Sequence, residues 1–364
     1  MYCCEVCFSD KKIVGYIKQN GSKNNCDFCG AKNVACINPL ELQDLFVNLI
    51  DLYTPYKEIN YTERNFSGSL AELIQYEWNI FNNNLTKNNQ NSLLDKIRND
   101  KGNENFYSSS ELWIDFKYDF LINSGVGYWS ILSEKLKYHT RFIINQSTNN
   151  EQQFFDLLNE SIEIAKTILS EGCKIYRARI GSKKEKNNKI NQKYVPYKEM
   201  GVPPRNKASA GRANPSGIPF LYLASDKKTA LSEVRPWKKA KVSIASFLTN
   251  QQLKIVDLTD IDNIKSPFEF QDNLKREIEK RYFIKNLSYK LAKPINPNKS
   301  DIEYIPTQFI TEYIKMKNYD GIKFKSAMGP GNNIVLFNEK VVTQKNSNLF
   351  EVENIDYKFH EYKN

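Results

Sequence analysis

Four cysteines, one glutamate, a pair of arginines and one serine carry the chemistry readable from this chain. Cys4-x2-Cys7 is followed, after eighteen residues, by Cys26-x2-Cys29-Gly30. A CxxC turn sets two sulfurs on one side of a tight loop, and two such loops supply the four thiolates of a tetrahedral zinc site. All four positions are filled by protein, so the expected zinc is structural, with no position open for water. Cys3 is an alternative to Cys4, and Cys36 and Cys173 are left over. Glu233 sits one turn past Ala230, at the edge of an apolar stripe of Ala230, Leu231 and Val234. A carboxylate at the rim of a buried helix is a candidate site group; a surface glutamate on an amphipathic helix is the other reading. Arg177 and Arg179 alternate with Tyr176, Ala178 and Ile180, a strand pattern that puts both guanidinium groups on one face. Such a pair suits an anion like pyrophosphate, and a solvent-facing edge strand is the alternative. Ser326 shares a strand face with Ile322 and Phe324, where its hydroxyl needs a partner.

The elements that must position these groups are marked around them. Gly211, Pro215, Gly217 and Pro219 punctuate a loop. Residues 220–224, short, apolar and flanked by breakers, read as a buried strand. Ser225 or Asp226 caps the helix bearing Glu233, and Pro236 ends it. Further strands are expected near 242–247, 253–258, 322–326 and 334–337, and helices near 273–287 and 307–317. Residues 183–193 read as a basic, Asn-rich loop. The segment before Cys173 reads as helical. Asn38 with Glu41, Ser69 with Glu72 and Ser108 with Glu111 are capping-box pairs. The last long helix carries Phe154, Leu158, Ile162, Ala165 and Leu169 and stops at Gly172. An antiparallel bundle is expected there.

The 364 residues suggest two or three domains, and 40% hydrophobic with 13% aromatic content supports real cores. The net charge of +10 comes from lysines scattered among asparagines. That describes a solvated basic surface and leaves weak attraction to nucleic acid or an acidic partner open. No run of eighteen apolar residues exists, and the N-terminus lacks the basic and apolar regions of a signal peptide. A cytoplasmic protein with reduced thiols and no membrane contact is expected.

Four segments follow: a zinc ribbon over 1–38, which is too small to hold a core without its metal; a helical domain over 39–172; a mixed α/β domain over 173–342; and a tail over 343–364. The overall class is α+β. The helical segment resembles HEPN bundles, many of which are RNases using Arg-x4-6-His. That motif is missing, because neither His139 nor His360 has an arginine four to seven residues before it. The segment therefore reads as a sensor, docking or oligomerisation domain.

The third segment resembles the RES domain, a family named for its arginine, glutamate and serine. The resemblance rests on 175–179 (Ile-Tyr-Arg-Ala-Arg), 211–217 (Gly-Arg-Ala-Asn-Pro-Ser-Gly), 221–224 (Leu-Tyr-Leu-Ala), 230–234 (Ala-Leu-Ser-Glu-Val) and 320–326 (Asp-Gly-Ile-Lys-Phe-Lys-Ser), closed by 334–337 (Ile-Val-Leu-Phe). It implies an ADP-ribosyltransferase-like fold, with Arg177, Glu233 and Ser326 as catalytic residues and Tyr176, Arg212 and Tyr222 binding substrate. It also implies a toxin that degrades NAD and is restrained by a helix-turn-helix antitoxin. In that setting Glu233 stabilises the charge that builds on ribose as nicotinamide leaves, the arginines hold the pyrophosphate, and Tyr222 stacks on the nicotinamide ring. Zinc takes no part in this chemistry. Three functions stay open: NAD degradation, ADP-ribosyl transfer to a protein or nucleic acid, and non-enzymatic binding of nucleic acid or a partner. The acceptor and the oligomeric state also stay open.

Overall fold

The computed structural model describes residues 1–58, 67–98, 107–117, 125–144, 148–187, 191–259, 264–270, 273–293, 295, 300–356 and 361. They form two compact units: Met1–Trp129 with Thr148–Leu157 and Asp262–Tyr282, and Ser130–Ser147 with Leu158–Ile261 and Phe283–Asn364.

The first unit opens with β1 (Cys3–Cys4), α1 (Lys11–Asn20), β2 (Ser22–Asn24) and β3 (Val34–Ile37), the strands making an antiparallel sheet in the order β1-β3-β2. Between the two cysteine pairs of the expected ribbon lies the helix α1. Asp10 caps α1 by accepting from the N–H groups of Lys12 (2.8 Å) and Ile13 (3.2 Å). Ile13 and Ile17, four residues apart, bury one side of it. After the Asn38–Glu41 capping box come α2 (Gln43–Ile50), β4 (Thr54–Pro55), β5 (Ser67–Gly68), α3 (Leu70–Trp78), α4 (Lys87–Arg98) and β6 (Trp113–Ile114). The Ser69–Glu72 box opens α3 as expected. The Ser108–Glu111 pair does not open a helix. It turns the chain into β6, whose Trp113 and Ile114 pair with β4 and β5. Helices thus alternate with small sheets, where an antiparallel bundle or something near it is expected from the sequence. Phe46 centres the core, with ring centroids 6.2 Å from Phe8 and 4.9 Å from Phe268, a residue of the 262–282 segment.

Beyond α5 (Gly125–Tyr138) and α6 (Asn149–Ile164), the chain enters β7 (Lys166–Leu169). The last helix therefore ends before the expected Gly172. Thr167 and Ile168 are β-branched, and the segment pairs with a later strand over Leu253–Val256. Then come β8 (Lys174–Ile180), the hairpin strands β9 (Lys183–Asn187) and β10 (Asn191–Val195), β11 (Leu221–Ala224), α7 (Lys227–Glu233), β12 (Lys241–Thr249), β13 (Leu253–Asp257), α8 (Leu274–Ala292), α9 (Ser300–Glu303), α10 (Ile305–Met316), β14 (Gly321–Lys325), β15 (Asn332–Leu336) and β16 (Val342–Glu351). The Lys/Asn stretch read as a loop is thus largely paired strand, with residues 188–190 outside the described set. Eight strands make the main sheet of the second unit, in the order β16-β12-β8-β11-β15-β14-β13-β7. Only β13 and β14 run parallel among these pairings. β16 covers β12 along its length, so most residues just past Val342 form an edge strand where a tail was expected. One apolar cluster of this unit gathers Ile175, Leu221, Leu223, Phe247 and Ile334. Another gathers Ala178, Ala224, Val242 and Ile244 around Ala230 of α7. Among the described residues no helix is long and apolar enough to cross a membrane.

Candidate functional site

The site develops from the turn after β11. Asp226, rather than Ser225, caps α7: its carboxylate accepts from the Thr229 N–H (2.8 Å), the Thr229 hydroxyl (2.7 Å) and the Ser225 hydroxyl (3.0 Å). Burial pushes this carboxyl up, but the bonds from Thr229 and Ser225 outweigh it and hold it below its ordinary value. Seven residues later the helix ends on Glu233, where Arg235 takes φ +48° ahead of Pro236. Capped at one end and stopped at the other, α7 holds Glu233 in a fixed place.

Glu233 is half-buried, and its Oε1 accepts two hydrogen bonds, from the Ser326 hydroxyl (2.6 Å) and from Asn333 Nδ2 (2.7 Å). Ser326 Oγ in turn accepts from the N–H groups of Met328 (3.1 Å) and Gly329 (2.9 Å). The hydroxyl is thereby oriented to donate to Glu233. Among the described residues Oε2 of Glu233 makes no hydrogen bond.

Tyr176, Arg177, Arg212, Tyr222 and Glu233 line one cavity of about 430 Å³, together with Tyr304, Phe324 and Asn333. Ligand pockets commonly span about 300–1,000 Å³. Ser326 stands beside the cavity and reaches it through Glu233. The cavity lies where β8 and β11 share the single pair Ala224–Tyr176. Arg177 lies opposite Ala245 in the sheet register, on the Ile175 face, and Tyr176 goes with Ala224 on the other face. The guanidinium donates to the Gly201 carbonyl (2.9 Å), and burial, with Arg179 nearby, lowers its pKa against the pull of Glu339. Arg179, exposed, lies over the Tyr197 ring, 4.7 Å from its centroid. The shared-face pair of arginines is present, but Arg177 alone of the two borders the cavity.

Two expected ligand contacts have structural work to do. Arg212 Nη1 donates to the Leu291 and Ala292 carbonyls, both at 2.9 Å, and so caps the C-terminus of α8. Tyr222 donates its hydroxyl to Asn214 Oδ1 (2.7 Å) and accepts from the Ala213 N–H (3.0 Å). Burial pushes the Tyr222 phenol up to about 12. Asn214 is the hub of this loop: Nδ2 donates to the carbonyls of Ser209 (3.1 Å), Pro215 (3.0 Å) and Ile218 (2.9 Å). Gln308 of α10 ties the same loop through the Gly211 (2.8 Å) and Asn214 (3.0 Å) carbonyls. Sequence reasoning singled out neither Asn214 nor Asn333. Asn214 lies inside the Gly/Pro-rich stretch, a local signal for a turn-organising amide. Asn333 has no local signal, because its facing partner follows from the pairing of Ala224 with Asn333.

The loop 326–331 leaves no room at Gly331. A Cβ there would stand inside contact distance of the Asp226 and Ser225 side-chain oxygens. The Gly331 N–H also donates to Thr229 Oγ1 (2.8 Å). Gly331→Ala is expected to destabilise the protein by about 1–3 kcal/mol through overpacking and to shift Ser326 away from Glu233. A melting curve unchanged from wild type would contradict it.

At the other end of the chain, the Cys4, Cys7, Cys26 and Cys29 sulfurs lie within 4.8 Å of one another. Cys4–Cys29 and Cys7–Cys26 are each 3.4 Å apart, and Cys4–Cys7 are 3.9 Å apart. Tetrahedral zinc with bonds of ~2.3 Å requires sulfurs roughly 3.8 Å apart, so the donor set fits a four-thiolate metal ion. Cys3 and Cys36 lie outside it, facing the Ile37 carbonyl (3.6 Å) and the Asn24 carbonyl (3.5 Å). Gly30, at φ +75°, makes the turn after the second pair.

Residues 188–360 match the family model described as the RES domain, and this part of the chain is a RES domain. The matched range begins after β8, so Arg177 precedes it, and it runs past Val342. Among solved structures, a chain in the crystal structure of the M. tuberculosis MbcT–MbcA toxin–antitoxin complex is similar, at 13% identity and a TM-score of 0.31, over 54% of this chain and 93% of that one. No curated relative matches the sequence.

Proposed function

We propose that this chain is a RES-type effector that degrades NAD by breaking the bond between nicotinamide and ribose. The observation that carries this reading is Glu233: one oxygen is held by Ser326 and Asn333, and the other has no partner among the described residues, in a cavity that Arg177 also lines. As the C1′–N bond breaks, its electron pair leaves with the nicotinamide nitrogen and positive charge grows on the ribose. A preorganised carboxylate stabilises that charge without reorganising. Water then supplies the oxygen that bonds to C1′ and loses its proton to solvent; phosphate in its place gives a ribosyl phosphate. Arg177 borders the cavity from β8 with its guanidinium tied to the Gly201 carbonyl, and the Tyr222 ring walls the cavity while its hydroxyl holds the 211–214 loop.

In this reading Cys4, Cys7, Cys26 and Cys29 hold a structural zinc. When bound, the ion cross-links two turns of the chain, and no step of the NAD chemistry passes through it. A protein antitoxin is the partner that a toxin calls for. Mass spectrometry of NAD incubated with the pure protein tests the reading. Free nicotinamide with ADP-ribose, or with ADP-ribosyl phosphate when phosphate is supplied, is expected without any macromolecular acceptor. Product forming only when a protein or nucleic acid is added, and attached to it, establishes transfer instead. NAD left intact in both arms overturns the enzyme reading.

A further inference from the structure

Asn333 is a polar side chain in the interior of the main sheet, 8% exposed, in a strand that continues with the buried Ile334, Val335 and Leu336. A buried amide is costly unless its hydrogen bonds are made. A carboxylate only accepts, so the group facing Glu233 Oε1 at 2.7 Å has to be the amide NH2. That assignment turns the amide oxygen away from Glu233. Among the described residues Oδ1 makes no hydrogen bond, and Asn333 lines the same cavity as Glu233. Ser326 and Asn333 converge on one carboxylate oxygen, from the loop after β14 and from β15 respectively, and so fix the carboxylate plane.

We propose that Asn333 has two roles in this site: its NH2 positions Glu233, and its Oδ1 is a second acceptor for the ligand. Glu233 Oε2 and Asn333 Oδ1 then form a pair of acceptors matched to a sugar with neighbouring hydroxyl groups, the cis-diol of a ribose. This rests on the NAD reading above and adds the element that selects the ribosyl group.

The test measures nicotinamide release from NAD, and ADP-ribose affinity by calorimetry, for wild type, Asn333→Ala, Glu233→Ala and the double variant. Misplacing a reacting group by about 1 Å costs on the order of 10²-fold in rate, so Asn333→Ala is expected to lower kcat by about that factor. Its ADP-ribose Kd is expected to rise about tenfold, roughly the worth of one hydrogen bond. Because one role acts through Glu233, the same change in the Glu233→Ala background should alter kcat by less than about threefold. A role in folding alone would lower both backgrounds alike, and that result overturns the proposal. Asn333→Asp keeps the shape and an acceptor but loses the donor; if Asn333→Ala fails to fold, an Asp variant with wild-type kcat overturns the proposal and a fall of about 10²-fold upholds it. If the wild-type protein releases no nicotinamide, it is the proposed activity that fails. The Asn333 assignment is then decided by ADP-ribose binding: a tenfold weaker variant upholds it, and equal or absent binding overturns it.

Discussion

On the proposed function, Glu233→Gln is expected to lower NAD turnover by about 10²–10³-fold, the usual cost of losing one well-placed electrostatic group, while the fold survives. The amide keeps an oxygen that can accept from Ser326 and Asn333 as Oε1 does now, so no buried donor loses its partner. What disappears is the negative charge. Affinity for NAD is expected to fall less than turnover, because on this reading the attraction to the ribose grows as the bond breaks. Glu233→Ala is the harsher change: it strands Asn333 Nδ2 in the sheet at a cost of about 1–3 kcal/mol. Turnover, NAD affinity and melting curves on both variants separate the two effects. Glu233→Gln turnover within a few-fold of wild type would sink the role assigned to the carboxylate.

On the structural-zinc reading, Cys26→Ser is expected to abolish stoichiometric zinc and unfold the start of the chain. Structural zinc contributes an apparent ~10–16 kcal/mol in finger peptides near pH 7, on the scale of the whole stability of a domain, about 5–15 kcal/mol. The loss spreads beyond the cysteines. Ile13, Ile17, Phe28 and Ile37 pack in one cluster with Phe46, Leu49 and Phe81. Elemental analysis should find about one zinc per chain in wild type and none in the variant. The melting curve of the variant should lose its first transition, and a chelator should reproduce that in wild type. Zinc-free wild-type protein with an unchanged melting curve would remove the metal from this picture.

Local determinants made much of this site legible in the sequence. The Asn38–Glu41 and Ser69–Glu72 caps, the Asp226 cap and the strand–turn–helix leading to Glu233 are each set by residues within a few positions, and each forms. The same logic fails where the partner is far along the chain. Ser108 and Glu111 match a helix start, but Trp113 and Ile114 are claimed by strands more than forty residues away. Leu169 fits a helical stripe until β13 offers a ladder. Arg212 reads as a ligand contact because its acceptors, the last carbonyls of α8, lie 79 and 80 residues downstream. Ser326 needed a partner by its position alone, while Asn333 becomes visible only when β11 and β15 are in register.

The 262–282 excursion has a practical consequence for anyone dissecting the gene. Phe268, Leu274 and Ile278 share a core with Phe8 and Phe46, hundreds of positions earlier in the chain. A truncation beginning near Glu151, chosen because the proposed catalytic residues follow Cys173, strips those three side chains of that cover and leaves an oily patch on the product. Such a patch promotes aggregation, so a dead deletion clone would report on solubility and say nothing of chemistry. Point variants in the intact chain are the sound route to the role of each half.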